Sequence, residues 1–462
     1  MSVDISFRDG HVCVLGLGYV GLTLAVAMAD VGFKVLGVEI RDDVLDLLGK
    51  GQPHFHEPGL AEKLRRTVRS GAFRFAKQIP FGWGGSVYII TVGTPVDAEC
   101  KVRLGMIEAV SREVAAHIKD GDMVIVRSTV KLATTDKVVA PILDQAGVHY
   151  DIAFCPERTL EGKALVELHQ LPQIVGAKSR AASVRASQLF QFLTPTVVRV
   201  SDAETAEMIK LIDNAQRDVQ FAYANEVARA CDAIGISAAE VIRAGKLGYP
   251  RTSLPMPGPV GGPCLEKDPH ILAEGLRSRG LEPEITVAAR RVNERQPAEA
   301  VMYIKSLTQR FDGFATAPVI TLLGLAFKGQ PATDDLRGTM ARPVLEALRE
   351  AFPQAVFRGY DPVVPQEQIA RFGVQPATGI EQSLLGASVA LILNNHPAFQ
   401  GMPISTLSGL MMRPGMIYDF WSSFEMKELH LAPGVGYAAL GSHGWAILPG
   451  TVEQYPLLAV NA

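Results

Sequence analysis

Nine residues past the middle of the chain, Gly261-Gly262-Pro263-Cys264-Leu265-Glu266-Lys267-Asp268-Pro269, bring a thiol, a cation and a carboxylate into one short stretch. A glycine-rich turn precedes Cys264, and a helix-like stretch from Leu265 to Leu276 follows it. A thiol at a helix start beside Lys267 ionises more readily than a buried one. Asp268 opposes that ionisation electrostatically but supplies a base within reach. The ordinary alternative for a cysteine is a small buried hydrophobe. A thiolate can capture an aldehyde, and loss of a hydride from the adduct leaves a thioester that water opens to an acid. That chemistry needs a hydride acceptor.

The start of the chain offers a place for one. Gly16-Leu17-Gly18-Tyr19-Val20-Gly21 follows a strand and opens a helix. In such a fingerprint the first glycine permits a tight turn, the second admits a pyrophosphate, and the third packs helix on strand. Glu39 ends the next strand, where a carboxylate bonds ribose hydroxyls and repels a 2′-phosphate. NAD is therefore the expected cofactor, with Arg41 two residues on pulling toward NADP.

Further candidates sit where strands end. Thr94, in Thr91-Val92-Gly93-Thr94-Pro95, and Thr129, in Arg127-Ser128-Thr129-Val130, both follow strands whose ends face the ligand crevice of an open sheet. Taken alone, these are ordinary turn residues. Pro156-Glu157-Arg158-Thr159-Leu160-Glu161-Gly162 carries two carboxylates suited to a base and a substrate or water anchor. Taken alone, they fit two exposed glutamates. Lys210 and Asn214 stand four apart and share a helix face, where both can stabilise an oxyanion. Taken alone, they fit a solvated face. Gly324-Leu325-Ala326-Phe327-Lys328-Gly329, followed by Asp334-Asp335-Leu336-Arg337, reads as a second phosphate-binding turn, or else a structural linker.

These residues need a large scaffold, and 462 residues allow two or three domains. Apolar residues at 48% and charged residues at 20% place the chain among soluble globular enzymes. A net charge of −3 argues against a nucleic-acid partner. Five scattered cysteines without a CxxC pair suit a reducing, cytoplasmic setting. Met1-Ser2-Val3-Asp4 shows no basic leader. Apolar runs such as Val389 to Leu393 fall far short of the ~20 residues that span a bilayer, so no membrane span is expected. No metal is expected.

Strand and helix patterns alternate up to about residue 200. Strands are expected at His11 to Leu15, Lys34 to Glu39, Val87 to Thr91, Met123 to Arg127, Ile152 to Cys155 and Gln173 to Val175, the last four as buried parallel strands. Leu22 to Val31 reads as a helix. Glu204 to Ile234 lacks Pro and Gly and reads as one long helix or two in register. Beyond a Pro- and Gly-rich break from Gly245 to Cys264, a second α/β unit is expected. It has strands at Val319 to Leu323, Val356 to Tyr360 and Val389 to Leu393, and a helix at Arg342 to Ala351. The fold class is α/β, two Rossmann-like doubly wound domains joined by a central helical region. The expected domains are 1–200 for NAD, 201–315 for the helical region with Cys264, and 316–462 for a nucleotide diphosphate.

In this order the motifs resemble the UDP-sugar 6-dehydrogenase family, which includes GDP-mannose dehydrogenase. GLGYVG, GTP, STV, PERTLEG, K-x-x-x-N, Asn225-Glu226, GGPCLEKD, GLAFKG, DDLR and Tyr360-Asp361-Pro362 carry the likeness from Val12 to about Trp421. The resemblance implies two successive oxidations of C6 of a UDP-sugar, with Cys264 as nucleophile. It implies that Lys210 and Asn214 serve the oxyanion, Asp268 acts as acid and base, Thr129 orients water, and Glu161 serves thioester hydrolysis. Glu157, Arg158, Gly261, Lys267, Phe327 and Lys328 fall at substrate positions. With a one-residue gap, Arg251 resembles an arginine that this family extends into a neighbouring subunit's site. A homodimer or higher oligomer is implied. Pro156-Glu157-Arg158, Asn394-Asn395-His396-Pro397 and Asp419-Phe420-Trp421 resemble the UDP-N-acetylmannosamine and UDP-N-acetylglucosamine branch, while UDP-glucose remains an alternative substrate. A two-electron 3-hydroxyacid or 6-phosphogluconate dehydrogenase shares the first domain but needs neither Cys264 nor a second nucleotide domain.

Overall fold

The computed structural model describes Val3, residues 7–97 and residues 99–449. Met1, Ser2 and Asp4 of the leader reading, and the part of the last expected domain beyond residue 449, lie outside the described residues. The chain divides into two units, Met1–Asn214 with Lys267–Pro283, and Ala215–Glu266 with Glu284–Ala462.

The first unit is built on eight strands: β1 (His11–Leu15), β2 (Lys34–Val38), β3 (Phe73–Ala76), β4 (Val87–Ile90), β5 (Asp122–Val126), β6 (Tyr150–Phe154), β7 (Gln173–Ala177) and β8 (Val197–Val200). Their order is β3-β2-β1-β4-β5-β6-β7-β8. Runs such as Val-Tyr-Ile-Ile in β4 are buried at every position, because helices cover both sheet faces. Gln173 to Val175 was expected to be parallel, and the structure corrects this: β7 runs antiparallel to β6, with Phe154 opposite Gly176. After β6 the chain makes the Pro156–Gly162 turn and the short helix Ala164–Gln170, then re-enters the sheet from the end it left. Apolar patterning carries no strand direction.

In the second unit the strands are β9 (Val319–Leu323), β10 (Val356–Tyr360), β11 (Gln375–Pro376), β12 (Val389–Ile392), β13 (Gly415–Asp419) and β14 (Val435–Ala439). All pairs are parallel, in the order β11-β10-β9-β12-β13-β14. Relabelled from its own first strand, this is the doubly wound order 3-2-1-4-5-6, which the first unit also follows through its first six strands.

Ala203–Ile234 is a single helix of 32 residues. The stretch expected as one helix after Cys264 is two, Gly262–Leu265 and Asp268–Arg277. Pro269 sits in the first turn of the latter, where its missing N–H costs nothing. Among the described residues, no helix is long and apolar enough to cross a membrane.

Candidate functional site

In the first unit the chain reverses between β1 and β4, and the crevice of such a sheet opens there. Gly16 has φ +93°, a left-handed conformation that favours glycine. A Cβ on Gly21 would lie 1.8 Å from Gly16 O, so only glycine lets the helix Tyr19–Asp30 start against the strand. A Cβ on Gly18 would meet nothing within 4 Å. No side chain caps this helix, and its first turn holds no acidic residue. An uncapped helix start facing open space fits a pyrophosphate. Tyr19 stacks on Phe55 at 3.9 Å beside half-buried Val20. Glu39 Oε2 accepts from Leu17 N at 3.0 Å and Oε1 from Arg41 N at 3.1 Å, leaving each oxygen a lone pair for a ribose hydroxyl. The Arg41 guanidinium is turned to Asp43, with Nε 3.1 Å from Oδ1. These residues fit NAD.

The Ser128-Thr129 turn is fastened at several points. Ser128 Oγ donates to Val92 O at 2.6 Å, and the buried Thr94 Oγ1 donates to Thr129 O. Arg127, expected at the end of a strand, and Glu157, which taken alone fits an exposed glutamate, form a buried ion pair, Nε to Oε2 at 3.1 Å. Glu157 Oε1 accepts from the N–H groups of Arg158 (2.8 Å) and Thr159 (2.7 Å). Burial pushes the Glu157 carboxyl up, but Arg127 and the Thr159 N–H outweigh it and hold the group below its ordinary value. Both oxygens are thus used to shape the turn, rather than standing exposed. Arg158 lies 3.5 Å from Asp213, and Glu161 is half-buried.

Lys210 and Asn214 are buried at 8% and 7% exposure, which rules out a solvated face. Asn214 Nδ2 donates to Asp268 Oδ2 at 2.6 Å, and Lys267 Nζ to Asp268 Oδ1 at 2.9 Å. Asp268 is fully buried. The first unit therefore joins Asn214, Lys267 and Asp268 into one charged, hydrogen-bonded set.

The second unit carries Cys264 on the short helix Gly262–Leu265, with its side chain exposed. Gly262 N donates to Gly338 O at 2.7 Å, and a Cβ on Gly262, whose φ is +92°, would strike the Phe327 ring at 2.4 Å. Gly261 faces Gly338 O as closely, and Lys328 Nζ lies over the Phe327 ring at 5.2 Å. Arg251 stacks on the ring of Tyr249, and its Nε donates to that hydroxyl at 3.0 Å.

Sequence reading missed the polar network behind Cys264. Buried Arg290 donates to Leu265 O at 2.6 Å and to Asp218 Oδ1 at 2.8 Å. Asn293 donates to Asp218 and to no less a degree supports Asn225, whose Nδ2 reaches Asn293 Oδ1 at 3.0 Å and Gly258 O at 3.1 Å. Asp218 and Asn225 extend the helical spacing of Lys210 and Asn214, a signal in the sequence; Arg290 and Asn293 left none.

The second turn uses its backbone differently from the first. Gly324 N donates to Tyr360 O, Leu325 N and Ala326 N to Asp361 Oδ2, Phe327 N to Asp335 O and Gly329 N to Asn395 Oδ1. These amides are consumed inside the chain, so a phosphate here would have to rely on side chains. Among the described residues, no group of three His, Cys, Asp or Glu could hold a metal.

Sequence profiles of the UDP-glucose/GDP-mannose dehydrogenase family match all along the chain: the NAD binding domain over residues 10–194, the central domain over 204–295 and the UDP binding domain over 321–426. The chain is 32% identical over 415 residues to the UDP-N-acetyl-D-mannosamine dehydrogenase of Pyrococcus horikoshii, covering 88% of this chain and 94% of that one. It is 32% identical over 418 residues to an NDP-N-acetyl-D-galactosaminuronic acid dehydrogenase of Ralstonia nicotianae, covering 88% and 95%. The solved UDP-D-ManNAc dehydrogenase structure from Pyrococcus horikoshii superposes with a TM-score of 0.84 at 30% identity, over 94% of this chain and 99% of that one.

Proposed function

This chain belongs to the UDP-glucose/GDP-mannose dehydrogenase family, and from that premise we propose that it oxidises C6 of UDP-N-acetylmannosamine to the uronic acid, with UDP-N-acetylglucosamine and UDP-glucose as poorer substrates. The names of its relatives support the sugar. One observation carries the chemistry: an exposed thiol, Cys264, is followed four residues later by a carboxylate that is fully buried yet held by Lys267 and Asn214.

Gly16, Gly18, Gly21 and Glu39 would hold NAD, which would supply the hydride acceptor for both oxidations. The chain's own residues do the rest. Asp268, held at both oxygens by Asn214 and Lys267, takes the proton from the sugar alcohol. Lys210 and Asn214 stabilise negative charge on O6, which builds only as the reaction proceeds. The Cys264 thiolate bonds to C6 of the aldehyde, so the intermediate stays on the protein. After the second hydride leaves, C6 is a thioester. Thr129 orients a water whose oxygen bonds to C6, the C6–S bond breaks, and Glu161 receives the proton. Overall, one alcohol and one water give a carboxylate, two hydrides and three protons. Glu157 and Arg158 shape the sugar pocket by holding their turn. Gly261, Lys267, Phe327, Lys328 and Arg251 serve the rest of the UDP-sugar.

The division 1–200, 201–315 and 316–462 follows the three functions. Exposed Ile212, Tyr223 and Ile234 on the long helix support self-association into a homodimer or larger assembly. Five cysteines without a disulfide support a reducing cytoplasm.

Incubation with NAD and a panel of UDP-sugars tests the reading. Two NADH per UDP-N-acetylmannosamine and a uronic acid are expected. Cys264→Ser is expected to lower acid formation by roughly a thousandfold or more while NAD binding survives, since a serine hydroxyl barely ionises. One NADH per sugar with free aldehyde would end the four-electron reading.

A further inference from the structure

Glu207, Lys210 and Asn214 recur on one face of the long helix. All are buried, Glu207 to 1% exposure. Lys210 and Asn214 have work in the chemistry above, and Glu207 has none. A buried carboxylate must find donors, and those of Glu207 lie in the turn after β5. Its Oε2 accepts from Ala133 N at 2.5 Å, and its Oε1 accepts from Thr135 N at 2.9 Å and Thr135 Oγ1 at 2.7 Å.

This is the turn that begins Ser128-Thr129-Val130. Its first half is tied to residues following β4 through Ser128 and Thr129. Its second half passes through Ala133, which has φ +66°. A residue with a side chain rarely occupies that left-handed region, where its Cβ crowds the following carbonyl. Such a conformation persists only where its surroundings impose it, and the carboxylate that accepts from Ala133's own N–H imposes it here. Thr135 also starts the helical segment Thr135–Val139, so the same carboxylate satisfies two amides that no residue within the turn reaches.

We propose that Glu207 is a positioning residue that holds the Thr129 turn in register with the helix face bearing Lys210 and Asn214. The proposal rests on the C6-oxidation reading, in which Thr129 orients the water that opens the thioester. Misplacing an oriented group by about 1 Å costs on the order of a hundredfold in rate. Loosening the turn should slow that hydrolysis. The hydride steps should suffer far less, because Lys210 and Asn214 ride on the helix itself.

Glu207→Gln keeps the size of the side chain but turns one acceptor into a donor facing another. With NAD and UDP-N-acetylmannosamine, NADH release in the first turnover should stay within about threefold of the parent, while steady-state turnover falls roughly 10- to 100-fold. An acyl adduct on Cys264 should accumulate, read by acid quench and intact mass. Thr135→Val removes only the hydroxyl donor. It should show a smaller shift of the same kind, and it carries the test if Glu207→Gln does not fold. Equal slowing of both phases, an unchanged steady-state rate, or slowing without an adduct overturns the positioning role. A parent protein that yields one NADH per sugar, or none, brings down the C6-oxidation reading instead.

Discussion

Two turns in this molecule share a topology and put it to opposite uses. Each follows the first strand of a 3-2-1-4-5-6 sheet, and each lies beside a carboxylate just past the second strand. In the first unit that carboxylate is Glu39, half-buried, accepting one backbone N–H on each oxygen. In the second it is Asp361, 5% exposed, accepting Leu325 and Ala326 on one oxygen and Val363 and Val364 on the other. Asn394 closes the second turn further, donating to Ala326 O at 3.2 Å. One extra methylene lets Glu39 reach outward with bonding capacity left over. The shorter Asp361 spends its capacity on its own backbone. A carboxylate after the second strand is a ligand reader only where the turn has not already used it.

The largest separation should come from removing the two carboxylates. Asp361→Ala strands four backbone donors and should cost about 2–4 kcal/mol of stability, measured by denaturant unfolding, with NAD affinity of the surviving folded protein little changed. Glu39→Ala should do the reverse, weakening NAD binding about tenfold by calorimetry while unfolding moves by under about 1 kcal/mol. If both variants lose stability equally, the two turns do not differ in the way argued.

A smaller effect sharpens the cofactor side. Glu39→Gln should narrow the preference for NAD over NADP in kcat/KM, because it removes the charge that repels a 2′-phosphate. Arg41→Ala should change that ratio much less, since its guanidinium is already committed to Asp43. A larger effect at Arg41 than at Glu39 would reverse the assignment.

The smallest expected effect is on pH dependence. Burial pushes Glu207 up to about 7, with the charge of Glu204 adding to it and the Thr135 and Ala133 donors opposing it. A carboxyl raised on folding favours the folded state below its ordinary range, and that contribution is lost as pH rises through about 7. Glu207→Gln should therefore flatten the fall in stability across that window. In the second unit burial likewise raises Asp232 to about 7 and lowers His443, 3.1 Å away, to about 3, so burial works against an ion pair between them. His443 opposes Asp232 in its pH dependence, because the unfolded chain takes up the proton that buried His443 refuses. Asp232→Asn leaves that opposing slope in place and removes only the fall due to Asp232, so it should turn the profile in the same sense as Glu207→Gln, by thermal unfolding from pH 4 to 8.

The sequence alone determined whatever depends on local spacing. β1, β9 and β10 lie at the residues their apolar runs marked, and the long helix spans Ala203–Ile234 because no Pro or Gly interrupts it. The glycine fingerprint, the thiol of Cys264 and the pair Lys210 and Asn214 were legible because each motif lies within one turn or one helix face. Tertiary structure decided what depends on partners far along the chain. The antiparallel entry of β7, the pairing of Asn214 with Asp268 across 54 residues, and the burial of Glu157 against Arg127 leave no periodic trace. Strands β13 and β14 escaped sequence reading, being short runs that only their parallel neighbours turn into a sheet. Glu39 and Asp361 look alike in the sequence, each an acid after a strand. Only the folded turns, by offering one carboxylate a single donor per oxygen and the other two, decide which is left to meet a ligand.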